Sequence, residues 1–74
     1  MSRDPSDIEA DVRAQLDGLA ASSDPAAFQT LLALSQYLGE CLGRSARTLA
    51  ESQSWGEVAG VAGTTKQAAW SRWH

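Results

Sequence analysis

The 74-residue sequence predicts an all-α fold of about four helices, with a long central helix, a C-terminal helix-turn-helix and no wing. Three observations carry this prediction. Apolar residues recur at intervals of three and four, the period of a helix with one buried face. Residues that start helices stand ahead of each such stretch. No segment shows the period-two alternation, or the Asn-Gly or Asp-Gly turn, of a β-hairpin.

The first helix is predicted over 5–20. Asp4-Pro5 pairs an N-cap residue with proline at the first helical position, where the missing N–H costs nothing. Ser6 and Glu9 offer an alternative capping box. Ile8, Val12, Leu16 and Leu19 then share one face. Gly18 and the run Ala21-Ser22-Ser23-Asp24 read as its end and a short linker.

The second helix is predicted over 25–51, again opened by an Asp-Pro pair, Asp24-Pro25. Phe28, Leu31, Leu32, Ser35, Leu38, Leu42, Ser45 and Leu49 follow at alternating spacings of three and four, and Leu34 and Cys41 widen the stripe. At 1.5 Å per residue such a helix is roughly 40 Å long. Three shorter elements cannot cover all of it. Its apolar face is therefore a candidate dimer seam, with Phe28, Leu31, Leu32, Leu38 and Leu42 as the interface residues. Gly39 and Gly43 weaken the helix locally and mark either a close approach or a kink.

Residues 54–74 carry the helix-turn-helix. Ser54 and Glu57 form an S-x-x-E capping box, and Trp55, Val58, Ala59 and Ala62 lie on one face of a short helix. Gly63 ends it where a left-handed residue is expected. Thr64 and Gln67 form a second capping box, T-x-x-Q, and a new helix runs from about Thr65 to Trp73. Ala59 is expected at the crossing of the two helices, faced by Ala69, with Val58, Ala62 and Trp73 completing a small core. Trp55 is expected in that core as well.

Composition bounds the function. A hydrophobic content of 43% suits a globular chain rather than a disordered one. A chain this short buries only about 60% of its unfolded surface, so a second copy is the simplest source of further core. The whole chain reads as one domain, 1–74. One cysteine, Cys41, permits no internal disulfide and fits a reducing, cytoplasmic setting; on the widened stripe it reads as a buried, inert thiol. No stretch approaches the roughly 18 apolar residues of a membrane span, and no basic flank precedes an apolar run at the N-terminus. The single histidine, His74, has no partners for a metal site and no nucleophile beside it. There is no phosphate-binding glycine loop and no Ser-His-Asp set. The expectation is a non-enzymatic protein without cofactor or metal.

The second helix of the motif carries side chains that read nucleic acid. Glutamine bonds bidentately to adenine and lysine bonds to guanine edges. Serine and threonine hydroxyls reach bases or phosphates. Thr65, Lys66, Gln67 and Ser71 are expected on the face away from Ala69 and Trp73, and the helix N-terminus offers free backbone N–H groups to a phosphate.

The segment from Ser54 to Trp73, with Thr65-Lys66-Gln67-Ala68-Ala69-Trp70 at its centre, resembles the helix-turn-helix of small bacterial DNA-binding regulators. It is also similar to the phage Cro-type pattern of alanine, then glycine, then a small or branched residue on the second helix. The resemblance covers about 20 residues and leaves the first two helices outside it. It implies that the N-terminal half of the second helix, Thr65, Lys66 and Gln67, enters the major groove of double-stranded DNA.

The net charge of −3 argues against such a partner until it is divided. Residues 1–43 hold two basic and seven acidic side chains, a net −5; residues 44–74 hold four basic and two acidic, a net +2. The motif therefore lies in the basic part. The expected DNA contacts are Thr64, Thr65, Lys66, Gln67, Trp70, Ser71 and Arg72, with Arg44 and Arg47 from the end of the long helix. Those two arginines suit phosphate clamping and compensation of the helix dipole equally. Trp70 stands one residue off the buried face, and packing on the long helix, covering the seam and lying against a sugar-phosphate edge are all open to it. The expected function is a homodimeric, sequence-specific transcriptional regulator of repressor or nucleoid type. The alternative is a protein-interaction adaptor or anti-repressor that keeps the helix-turn-helix shape and docks through its acidic N-terminal half. The acidic group Asp4, Asp7, Glu9 and Asp11 is otherwise explained as a helix N-terminus favoured by the dipole.

Overall fold

A computed structural model describes residues 3–74. Among the described residues the fold is all-α, with four helices and no strand: α1 (Pro5–Ala20), α2 (Pro25–Ser52), α3 (Trp55–Ala62) and α4 (Lys66–Trp73). The 28-residue α2 is the longest. The chain divides into two compact units, Met1–Ser35 and Gln36–His74, with the boundary inside α2.

In the N-terminal unit, Asp4 caps α1. Its carboxylate accepts the Ser6 N–H at 3.0 Å and the Ser6 hydroxyl at 2.9 Å. Ser6 is thus inside the helix and partners the cap; the alternative Ser6–Glu9 box is not used. Asp24 opens α2 in the same way, accepting the Ala26 N–H at 2.9 Å. Burial in this unit gathers at the two helix ends that residues 21–24 join. Ala27 is buried, and Leu16, Leu19 and Leu31 are half-buried. Ile8 and Val12 on α1, and Phe28 and Leu32 on α2, stay exposed.

The C-terminal unit holds the one core cluster among the described residues. Ala46 of α2, Val58 and Ala59 of α3 and Ala69 of α4 are buried together, with Leu49, Ala50, Trp55 and Trp73 packed against them. Ala69 has no exposed surface. Alanines at the crossing let helix backbones approach closely, and the half-buried indoles of Trp55 and Trp73 pack against them. Two expectations are corrected here. Ala62 is exposed, and Ala46, from the long helix, takes the core place given to it. Ala62 lies in the last turn of α3 and lines a shallow apolar groove of about 130 Å³ with Leu42 and Val61. The expected cap at Thr64 is also displaced by one residue, for a reason that the turn supplies.

Candidate nucleic-acid interface

The turn between α3 and α4 is built from backbone chemistry. Ser54 caps α3, its hydroxyl accepting the Glu57 N–H at 3.1 Å. At the other end Gly63 adopts φ 70° and ψ 36°, the left-handed conformation that glycine takes without a Cβ penalty. The Gly63 N–H then donates to Gly60 O, and the Thr64 N–H to Ala59 O at 2.9 Å. This pair of bonds is a Schellman motif, which satisfies two carbonyls left open at a helix end.

With its N–H drawn back to Ala59, Thr64 belongs to the turn, and that N–H is not open to the Gln67 side chain. Thr65 caps α4 instead, extended at φ −82° and ψ 156°, with its hydroxyl accepting the Ala68 N–H at 3.1 Å. The third helical position is therefore Ala68, and no Thr-Gln box forms. Gln67 is released to point outward.

The eight residues of α4 span about 12 Å. Ala69 is its buried point and Trp73 its half-buried neighbour. All nine predicted contact residues, Arg44, Arg47, Thr64, Thr65, Lys66, Gln67, Trp70, Ser71 and Arg72, are exposed. Helical periodicity places Gln67 and Ser71 side by side, opposite the Ala69–Trp73 row. Lys66 lies about 100° round from Gln67, on the flank of the helix start rather than in the centre of that face. Helix geometry leaves the Lys66 and Gln67 N–H groups without an intrahelical acceptor.

Trp70 is about half exposed. Its indole stacks on the His74 imidazole, ring centroids 3.9 Å apart and planes within 4°. One turn of helix separates these residues, so the stack forms a flat aromatic plate along the flank of α4.

The arginines form a second grouping. Arg44, Arg47 and Arg72 line one cleft of about 590 Å³ with Tyr37, Glu40 and Trp73. Arg47 donates to the Trp73 carbonyl at 2.9 Å, tying α2 to the end of α4. The Arg72 guanidinium lies 5.1 Å from the centroid of the Trp73 ring. Arg44 lies over the Tyr37 ring and donates to the Tyr37 hydroxyl and the Cys41 thiol, both at 3.3 Å. Those two hydrogen bonds, Tyr37 first, hold its pKa above the ordinary arginine value, so it stays a cation throughout. Tyr37 and Glu40 were not among the predicted site residues. The signal was present as spacing, since 37, 40, 44 and 47 share one face of α2.

Among the described residues, no group of three or more histidine, cysteine, aspartate or glutamate side chains is placed to hold a metal ion. No helix is long and apolar enough to cross a membrane. Comparison with known protein families, curated proteins and solved structures finds no match to this chain.

Proposed function

We propose that the chain is a homodimeric, sequence-specific DNA-binding protein that acts as a transcriptional regulator. In this reading α4 enters the major groove, Gln67 and Ser71 face the bases, and Lys66 with the open N–H groups of α4 holds the flanking phosphate. One observation carries the reading: α3 and α4 are locked by the Gly63 turn and the Ala59–Ala69 packing, while the polar row of α4 stays outside. A helix held rigidly by one face and polar on the other can bring side chains to base edges in a fixed register.

The dimer half of the proposal is supported by exposed apolar residues on α2. Phe28 is 65% exposed and Leu38 60%, with Leu32 and Leu42 also exposed; Leu31 is half-buried. Two copies joined there would present two α4 helices to half-sites about one helical turn, roughly 34 Å, apart. The adaptor reading is favoured by a different observation, the exposed Ile8 and Val12 on the acidic α1.

Binding to a pool of genomic fragments, followed by footprinting, tests the main reading. The expected result is an inverted repeat, with affinity falling steeply as salt rises. Gln67→Ala combined with Lys66→Ala is expected to weaken binding at least about tenfold and to relax the footprint. Unchanged binding by that variant sinks the placement of α4, and no binding even at low salt favours the adaptor. Sedimentation of Phe28→Asp with Leu38→Asp tests the seam: the native chain is expected as a dimer and the variant as a monomer.

A further inference from the structure

We infer that the cleft lined by Arg44, Arg47 and Arg72 is a phosphate-binding site. Three guanidinium groups line it against one carboxylate, Glu40. No ion pair within 4 Å involves any of the three among the described residues, whereas Arg3 and Arg13 each hold a carboxylate. Cations drawn together without counter-charges repel one another, and an anion in their midst removes that cost.

Each arginine also has an intramolecular contact that orients its guanidinium. Arg47 contacts the Trp73 carbonyl, Arg72 the Trp73 ring, and Arg44 both Tyr37 and Cys41. Each guanidinium has five N–H donors and uses at most two here, so the rest are free for phosphate oxygens. The volume of about 590 Å³ falls within the range of small-molecule sites. Tyr37 and Trp73 give the walls aromatic planes. The ligand class is therefore a phosphate carried by an aromatic or sugar group. A free nucleoside phosphate and a DNA backbone phosphate share this chemistry. The cleft does not depend on α4 reading bases, since Arg72 lies about a third of a turn from the Gln67–Ser71 row.

The probes are adenosine 5′-monophosphate, adenosine, and a pool of random-sequence duplexes at low salt. Tryptophan fluorescence follows the first two, because Trp73 lines the cleft. The test variant is Arg44→Gln with Arg72→Gln. It spares Arg47, which ties two helices, and circular dichroism checks that helix content is unchanged. The charge control is Arg3→Gln with Arg13→Gln. A saturable response to the monophosphate but not to adenosine, weakened at least about tenfold in the test variant alone, is the expected result and assigns a free phosphate compound. A silent monophosphate with duplex binding weakened about tenfold in the test variant, and not in the charge control, keeps the site and assigns it to the DNA backbone. If the test variant matches the charge control in both assays, the inference is overturned. Monophosphate binding that survives while the native chain binds no duplex leaves the cleft standing and removes the DNA reading.

Discussion

Arg3 and Arg13 in the N-terminal unit are neutralised by carboxylates of α1, Arg3 by Asp11 and Arg13 by Glu9 at 2.9 Å. Lys66, Arg44, Arg47 and Arg72 in the C-terminal unit form no ion pair among the described residues; the arginines rest on aromatic rings, a carbonyl and a thiol. Packing differs too, although both units leave large apolar side chains exposed. The first unit leaves Ile8, Val12, Phe28 and Leu32 exposed, while the second closes a cluster around Ala69. Among the described residues, the first unit pairs both of its arginines and has no core cluster; the second closes a core and leaves its cations unpaired outside. Exposed apolar residues favour association with protein, and unpaired cations attract anions. In the proposed reading the unpaired cations of the C-terminal unit serve recognition, and assembly draws on exposed apolar residues of both units, Phe28 and Leu32 in the first, Leu38 and Leu42 in the second.

The sharpest way to break this contrast is to overfill the packed region. Ala69→Leu adds three carbons where no surface is exposed, and overpacking of this kind costs about 2–3 kcal/mol. Thermal unfolding followed by circular dichroism should show that loss. Val12→Ala on α1 should change stability by no more than about 0.5 kcal/mol, because Val12 is about half exposed. Equal losses from both substitutions would erase the distinction between a packed and an open unit.

A smaller effect separates two glycines. A Cβ at Gly63 or at Gly18 would meet nothing within 4 Å, so space does not distinguish them. Backbone conformation does. Gly63→Ala is forced to hold φ near +70° and should lose about 1 kcal/mol, with the loss confined to the α3–α4 turn. Gly18→Ala, inside α1, should gain about 0.5–1 kcal/mol from helix propensity. Chemical denaturation of the two variants side by side checks the opposite signs.

The smallest expected effect concerns acid. The Ser6 N–H, and then the Ser6 hydroxyl, hold the Asp4 carboxyl below the ordinary value of 3.8. A depressed folded pKa stabilises the helix start above the unfolded value, and that contribution is lost as pH falls through the folded one. Protection of the Ser6 amide in hydrogen exchange should therefore be full at neutral pH and decline only below pH 3.8. The caps of α3 and α4 are the hydroxyls of Ser54 and Thr65, which do not titrate, so Glu57 and Ala68 should keep their protection over the same range.

Local rules made most of the elements legible. Asp-Pro pairs, a serine cap and a turn glycine each act within a few residues, and they placed the starts of α1, α2 and α3 and the end of α3. At the start of α4 the T-x-x-Q spacing pointed to Thr64 rather than its neighbour Thr65, and that reading failed. The Schellman bond from Thr64 back to Ala59 takes up the N–H that such a box needs, and that bond exists only once α3 has formed. The missing core residue has a similar origin. Periodicity within α3 puts Ala62 on the apolar face, but which helix closes over that face is a property of packing, and Ala46 filled the place. For the site, the exposed contact residues were legible one by one. Their division into a Gln67–Ser71 row and an arginine cleft was not, because residues 44, 47 and 72 come from different helices.

The sequence by itself determined the all-α class, the helix that is too long for its own chain, and the concentration of positive charge after residue 43. These follow from periodicity, capping and counting, which require no knowledge of what lies nearby in space. Only the tertiary structure decided that Ala46 belongs to the core and that three arginines line one cleft. Each of these joins groups through space, where close packing and unpaired charge select among arrangements that local rules leave equal.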